Sequence, residues 1–114
     1  MKWKVIYTAQ ARKDLRGIYA YIAGQLQARE TAAGQTLRIM RAIRSLEELP
    51  MRHALYTEEP WRTQGLRFLP VDHYLVFYFP NETDKQVSIV RIMYGGRDVR
   101  NQLKQRPEDL EPNC

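Results

Sequence analysis

The chain has 114 residues and a formal charge of +5, enough for one domain with a modest core. A single cysteine, Cys114, excludes a disulfide framework or a cysteine metal site within one chain, and no apolar run approaches the ~20 residues of a membrane-spanning helix. The charge is uneven: residues 107–114 hold three of the 13 acids and no base, so residues 1–106 carry 18 bases against 10 acids, or +8.

A body this basic suits a polyanion or an acidic protein partner, with a plain solubility charge as the alternative. The start, Met1-Lys2-Trp3-Lys4, is basic, but Val5-Ile6-Tyr7 is too short for a secretory core. The expectation is a cytoplasmic protein with one domain, residues 1–106, and an acidic tail, residues 107–114.

Lys2 to Thr8 alternates, with Trp3, Val5 and Tyr7 on one face, and reads as a first strand. Thr8 is suited to cap a helix. From Ala11 the apolar residues Leu15, Ile18, Tyr19, Ile22 and Leu26 recur at helical spacing. After a break at Gln27 to Glu30, a second helix is expected. Its apolar series is Ala33, Leu37, Met40, Ile43, Leu46 and Leu49, with Arg38, Arg41 and Arg44 on another face and Pro50 as its stop. That arginine stripe reads first as a solvated helix face. Two amphipathic helices with so short a link predict an antiparallel hairpin.

Residues 51–64 are irregular, with His53, Glu58-Glu59, Pro60 and Trp61. Strands are expected at Leu66–Leu69, His73–Phe79 and Gln86–Tyr94, the last two joined by the polar turn Pro80 to Lys85. Both of these are apolar on two faces, which places them centrally. Asp98 could cap a short final helix, Val99 to Gln105. The order strand, helix, helix, three strands predicts an α+β fold. In it the helix hairpin packs on one face of a twisted, mainly antiparallel four-stranded sheet and leaves the other face open.

No phosphate-binding glycine loop, metalloprotease helix or nucleophile elbow is present. His53 and His73 lack metal-ligand spacing, and the acid pairs Glu47-Glu48 and Glu58-Glu59 read as solvated. No metal and no cofactor are expected. What remains is a scatter on and just past the last three strands: Arg67, Tyr74, Tyr78, Arg91, Tyr94 and Arg97. Arginine forks hold phosphate and tyrosine rings stack on bases. In the plainer reading Tyr74 and Tyr78 are half-buried packing residues, and Arg91 pairs with an acid such as Asp72.

From Val5 to Leu103 the chain resembles the RelE/ParE superfamily, the toxins of bacterial type II toxin–antitoxin modules. The resemblance rests on Ala11 to Ile22, Ile43 to Pro50, Gly65-Leu66-Arg67, Tyr74-Leu75-Val76-Phe77-Tyr78, and Val90 to Asp98, in this order and spacing. It implies the fold just derived, a growth-inhibiting activity and a cognate acidic antitoxin as partner. RelE-like members cleave mRNA in the ribosome without a metal, and ParE-like members poison DNA gyrase without being hydrolases. Gly65-Leu66-Arg67, Pro70-Val71 and the Gly-x-Arg-Asp ending resemble the ParE branch. Tyr94 resembles YoeB-type cleavers, but Met93 stands where those keep a histidine.

A RelE-like chain would use Arg67, Arg91, Tyr94 and Arg97 in catalysis. In either branch Arg67, Tyr74, Tyr78, Arg91, Tyr94 and Arg97 would bind the antitoxin or the target. An inactive relic that only binds an antitoxin is the remaining alternative.

Overall fold

Thr8 turns the first strand into the first helix. Its hydroxyl accepts a hydrogen bond from the Ala11 N–H at 3.1 Å, while its own N–H and O–H are donated to the Ile89 carbonyl at 3.0 and 2.8 Å. One residue thus caps the helix and ties its start to the far end of the sequence. The computed structural model describes residues 2–95 together with Val99 and Leu103. The expected tail, residues 107–114, and most of the expected last helix, Val99 to Gln105, lie outside the described residues.

Strand β1 spans Lys4–Tyr7 and helix α1 spans Ala9–Ala20, which runs on into a single π turn, Tyr21–Gln25. Ile18 and Ile22 face inward as the spacing predicts, but Leu26 is exposed. The π turn explains this: the Leu26 N–H reaches the Tyr21 carbonyl five residues back, so the i+4 register from Ile22 is lost.

Helix α2, Arg29–Arg44, corrects the expected face. Its buried residues are Ala32, Gln35, Ile39 and Ile43, followed by Leu46, whereas Leu37, Met40 and Leu49 are exposed. Steps of three residues drift about 60° per step around a 3.6-residue helix, so a series of four such steps leaves the core face. Nor does Pro50 end this helix. The α-helical run stops at Arg44, a 3₁₀ turn covers Ser45–Glu47, and Pro50 opens a second 3₁₀ turn, Pro50–Arg52.

A short helix α3, Trp61–Gln64, precedes β2 (Arg67–Val71), β3 (Tyr74–Asn81) and β4 (Gln86–Tyr94). The sheet order is β1-β4-β3-β2. Strands β2, β3 and β4 are antiparallel neighbours, and β1 lies parallel to β4. The two apolar strands are therefore central, as expected. Asp72 and His73 make the tight β2–β3 turn, with Asp72 at φ 56°, a conformation aspartate tolerates. Among the described residues no helix is long and apolar enough to cross a membrane.

Along β4 the pairing shifts: Phe77 sits opposite Arg91 and Tyr78 opposite Ile89, so Val90 is an extra residue in a β-bulge. The bulge changes which residues face the helices. Val87 and Ile89 do so before it and Ile92 after it, all in one core with Ile39, Ile43, Leu46, Val76 and Tyr78.

The opposite face is not open. Leu66, Phe77 and Met93 are buried there, with Tyr56, Trp61, Phe68, Val99 and Leu103 packed on them. The loop before β2 is laced to its edge by Tyr56 N–H to the Leu66 carbonyl at 2.8 Å and Phe68 N–H to the Ala54 carbonyl at 3.1 Å. That lacing brings Tyr56 edge-on to Phe77, 5.5 Å between ring centres. Two apolar faces on a central strand need two covers, and the irregular segment supplies the second.

Candidate functional site

Strand β1 ends at Tyr7, but β4 runs on to Tyr94, so the last part of β4 lacks a strand neighbour on that side. Helix α1 fills the gap with a carboxylate. Asp14 Oδ2 accepts from the Ile92 N–H at 2.9 Å and from Arg91 Nε at 2.8 Å. Its Oδ1 accepts from Gln10 Nε2 at 2.9 Å and from Arg91 Nη2 at 3.3 Å. The pair is well shielded, with side-chain exposures of 10% for Asp14 and 14% for Arg91. A two-point guanidinium–carboxylate fork plus two further donors is what makes such burial tolerable.

This pair lies at the base of a groove of about 990 Å³ between α1 with its π turn and the ends of β3 and β4. Ile18, Ile22 and Leu26 give it an apolar side, and Tyr21, Tyr74 and Tyr94 an aromatic one. Tyr74 and Tyr94 meet edge to face at 6.0 Å, with His73 at 6.5 Å from Tyr94. Tyr94 is 55% exposed. Burial, with Tyr21 and Tyr94 alongside, pushes the Tyr74 hydroxyl above its usual range. Gly95 closes the end of β4: its N–H is donated to the His73 carbonyl at 2.9 Å, and a Cβ there would lie 3.0 Å from Leu75 Cγ.

The six residues singled out from sequence do not form one cluster. Arg91, Tyr74 and Tyr94 line the groove together. Arg67 does not. It pairs in register with Tyr78, two strands from β4 and so roughly 10 Å across the sheet, and its Nη1 is donated to the His53 carbonyl. Tyr78, expected at a binding surface, is instead a fully buried core residue. Its hydroxyl is donated to the Pro50 carbonyl at 2.6 Å, and burial pushes it up to about 12. A ring enclosed on all sides has no face left for stacking. Arg97 lies outside the described residues.

Arg91 is paired, but with Asp14; Asp72 is taken by Arg38 Nε at 2.8 Å and Gln35 Nε2 at 3.0 Å, which hold its carboxyl below the usual range. Beside Arg67, burial followed by the Arg52 and Arg67 charges lowers the His53 imidazole from its ordinary value.

Sequence reasoning missed Asp14, Gln10, Tyr21 and His73 as groove residues. A signal for Asp14 existed. It is the one acid in α1, and Arg91 is the one base inside β4.

The geometry has room for a docked chain. One wall is apolar, the rim is aromatic and partly exposed, and the Nε and Nη2 of Arg91 are engaged by a carboxylate. Such a groove can take the apolar face of a peptide segment and offer hydroxyls at its border.

Comparison with known proteins gives a consistent result. The family described as the ParE toxin of the type II toxin–antitoxin system, parDE, matches residues 5–99. No curated protein sequence gives a significant match. Among solved structures, the chain is similar to one from the chromosomal ParDE toxin–antitoxin system of P. aeruginosa. That match has 22% identity and a TM-score of 0.67, and covers 82% of this chain and 96% of the other. It is also similar to a chain of the RelBE2 toxin–antitoxin complex of Mycobacterium tuberculosis, at 19% identity and a TM-score of 0.59, covering 82% and 99%. A third likeness is to the archaeal RelE–RelB complex of Pyrococcus horikoshii, at 18% identity and a TM-score of 0.53, covering 86% and 100%.

Proposed function

The chain belongs to the ParE toxin family of type II toxin–antitoxin systems, and from that premise we propose that it arrests growth by binding DNA gyrase, does not itself cut RNA, and is neutralised by a cognate acidic antitoxin. One observation carries the non-hydrolytic reading. A metal-free ribonuclease needs preorganised cations aimed at one scissile phosphate. Here Arg67 is tied to the His53 carbonyl outside the groove, while Arg91 is forked onto Asp14 within it. Without a shared focus, the two arginines cannot stabilise the same developing charge.

The antitoxin follows from the same groove. The similar solved chains come from toxin–antitoxin systems, and an apolar groove with a tyrosine rim next to a basic body is complementary to an amphipathic acidic segment. Steering by charge acts on the encounter, so added salt should slow association more than it speeds dissociation.

A RelE-like cleaver is the second reading, favoured by one feature: Arg91 and Tyr94 line the same groove. A paired assay separates the two. Purified protein is tested for inhibition of gyrase supercoiling, and mRNA 5′ ends are mapped in translating extracts. Gyrase inhibition without new 5′ ends is expected, and Tyr94→Phe should change it little because the ring is retained. Codon-phased cuts with normal supercoiling would overturn the gyrase reading. In that case Tyr94→Phe should cost about 10²–10⁴-fold in rate, as the loss of a general acid or base does. Normal colony formation after strong soluble expression without the antitoxin would point instead to an inactive relic.

A further inference from the structure

We propose that the outer surface formed by β1, the first half of α1 and the end of α2 with its following turns binds the phosphate backbone of duplex DNA. The charge of the described chain is concentrated there. Residues 2–16 and 37–52 hold nine basic side chains and three acidic ones, a balance of +6. All other described residues together hold five basic and six acidic ones, a balance of −1. The hairpin brings the two stretches together, since Ala11 and Leu15 of α1 share a core with Ile39 and Ile43 of α2.

Within this surface Arg12, Lys13, Arg16, Arg41 and Arg44 are exposed. Among the described residues none of the five has a carboxylate partner. Asp14 is spent on Arg91, and Glu47 lies 4.0 Å from Lys2. Arg41, Arg44 and Arg52 also line a depression of about 370 Å³, together with Ser45, Glu47 and Glu48. Arg52 is fixed there by the Glu48 carbonyl at 2.8 Å and the Ser45 hydroxyl at 3.3 Å.

Helix electrostatics does not account for the pattern. Cations in the last turn of α2 are favoured by the helix dipole, which explains Arg41 and Arg44. The same dipole opposes cations near the start of a helix. Yet α1 has no acid in its first turn and carries Arg12 and Lys13 next to it. Charges held against the local field, without partners, fit a polyanion that arrives from outside.

DNA is favoured over an acidic protein by the form of the charge. The exposed aromatics Tyr19, Tyr21 and Tyr94 fall outside both stretches, where Trp3 and Tyr7 are half-buried and the exposed apolar side chains are Leu37, Met40, Leu49 and Met51. Arginine forks spread over two helices match phosphates without reading bases. This inference goes beyond the gyrase reading and does not depend on it, because it concerns naked DNA.

The test is fluorescence anisotropy of the purified chain with a labelled mixed-sequence duplex over a range of salt. Each lost phosphate contact should flatten the log–log salt slope by about 0.9. Arg41→Gln/Arg44→Gln should therefore flatten it by about 1.8. Arg29→Gln/Arg62→Gln removes the same charge elsewhere and should leave the slope unchanged. Equal flattening by both pairs would reduce the surface to net charge and overturn the proposal. So would stronger competition by polyglutamate, meaning an acidic-protein site, or by duplex RNA. If Arg41→Gln/Arg44→Gln loses its circular dichroism, Arg12→Gln/Arg16→Gln applies the same test to the other helix.

Discussion

Replacing Asp14 should damage this protein more than its size implies. Its carboxylate accepts four hydrogen bonds: two from Arg91, one from the Ile92 backbone and one from Gln10. Asp14→Ala would remove the Asp14 carboxylate from a largely buried guanidinium, and would strand a strand-edge N–H as well. Removing one partner of a buried pair costs about 3–5 kcal/mol, and one orphaned buried N–H alone costs about 1–3 kcal/mol. The terms overlap, so a loss of about 3–5 kcal/mol is expected, a large share of the roughly 5–15 kcal/mol that holds a domain together.

Arg91→Met should cost about as much, again about 3–5 kcal/mol, because it leaves a shielded carboxylate with only neutral donors. The double variant Asp14→Leu/Arg91→Met removes both charges and should recover most of the loss. It should fall short by roughly the 1–3 kcal/mol that the unpartnered Ile92 N–H costs. Urea unfolding of wild type, both singles and the double gives the coupling energy, provided the m-values agree. Single losses below about 1 kcal/mol, or simple additivity in the cycle, would refute the claim that this pair is a buried structural unit.

Two further outcomes test the packing. Tyr78→Phe leaves the Pro50 carbonyl without its 2.6 Å donor and should cost about 1–3 kcal/mol. The native Tyr78 pKa, about 12, is above the unfolded value of 10.0. Its contribution is therefore complete below pH 10.0 and is lost as pH rises toward 12, and an ultraviolet titration in which every tyrosine ionises near 10.0 would contradict this. On α2, Ile39→Ala should cost about 2–5 kcal/mol, whereas Met40→Ala should stay within about 0.5 kcal/mol, as exposed positions do. The reverse order in thermal melts would restore the sequence-derived face.

Much of the fold could be read from short windows. The alternation of Lys4–Tyr7, the cap at Thr8, the periodicity of Leu15, Ile18 and Ile22, and the apolar runs of β3 and β4 are local patterns, and local backbone geometry follows from them. The RelE/ParE resemblance was likewise visible, because it rests on the order and spacing of such windows. What failed were statements about partners. The step-of-three series on α2 mixed a core face with an exposed one, because several leucine and methionine positions are near-equivalent until a sheet chooses among them.

The site residues divide in the same way. That Arg91 needed a counter-charge was legible in its apolar strand, but not that Asp14, 77 positions away, supplies it. That choice follows from β1 ending at Tyr7 and α1 taking over beside β4. The separation of Arg67 from Arg91, and the burial of Tyr78, depend on strand register and on the bulge at Val90. The sequence alone determined the four strands and the two long helices, the charge balance and the family. Only the tertiary structure decided which side chains share a face, because a one-residue shift between strands reverses every side chain beyond it at no cost visible in local pattern.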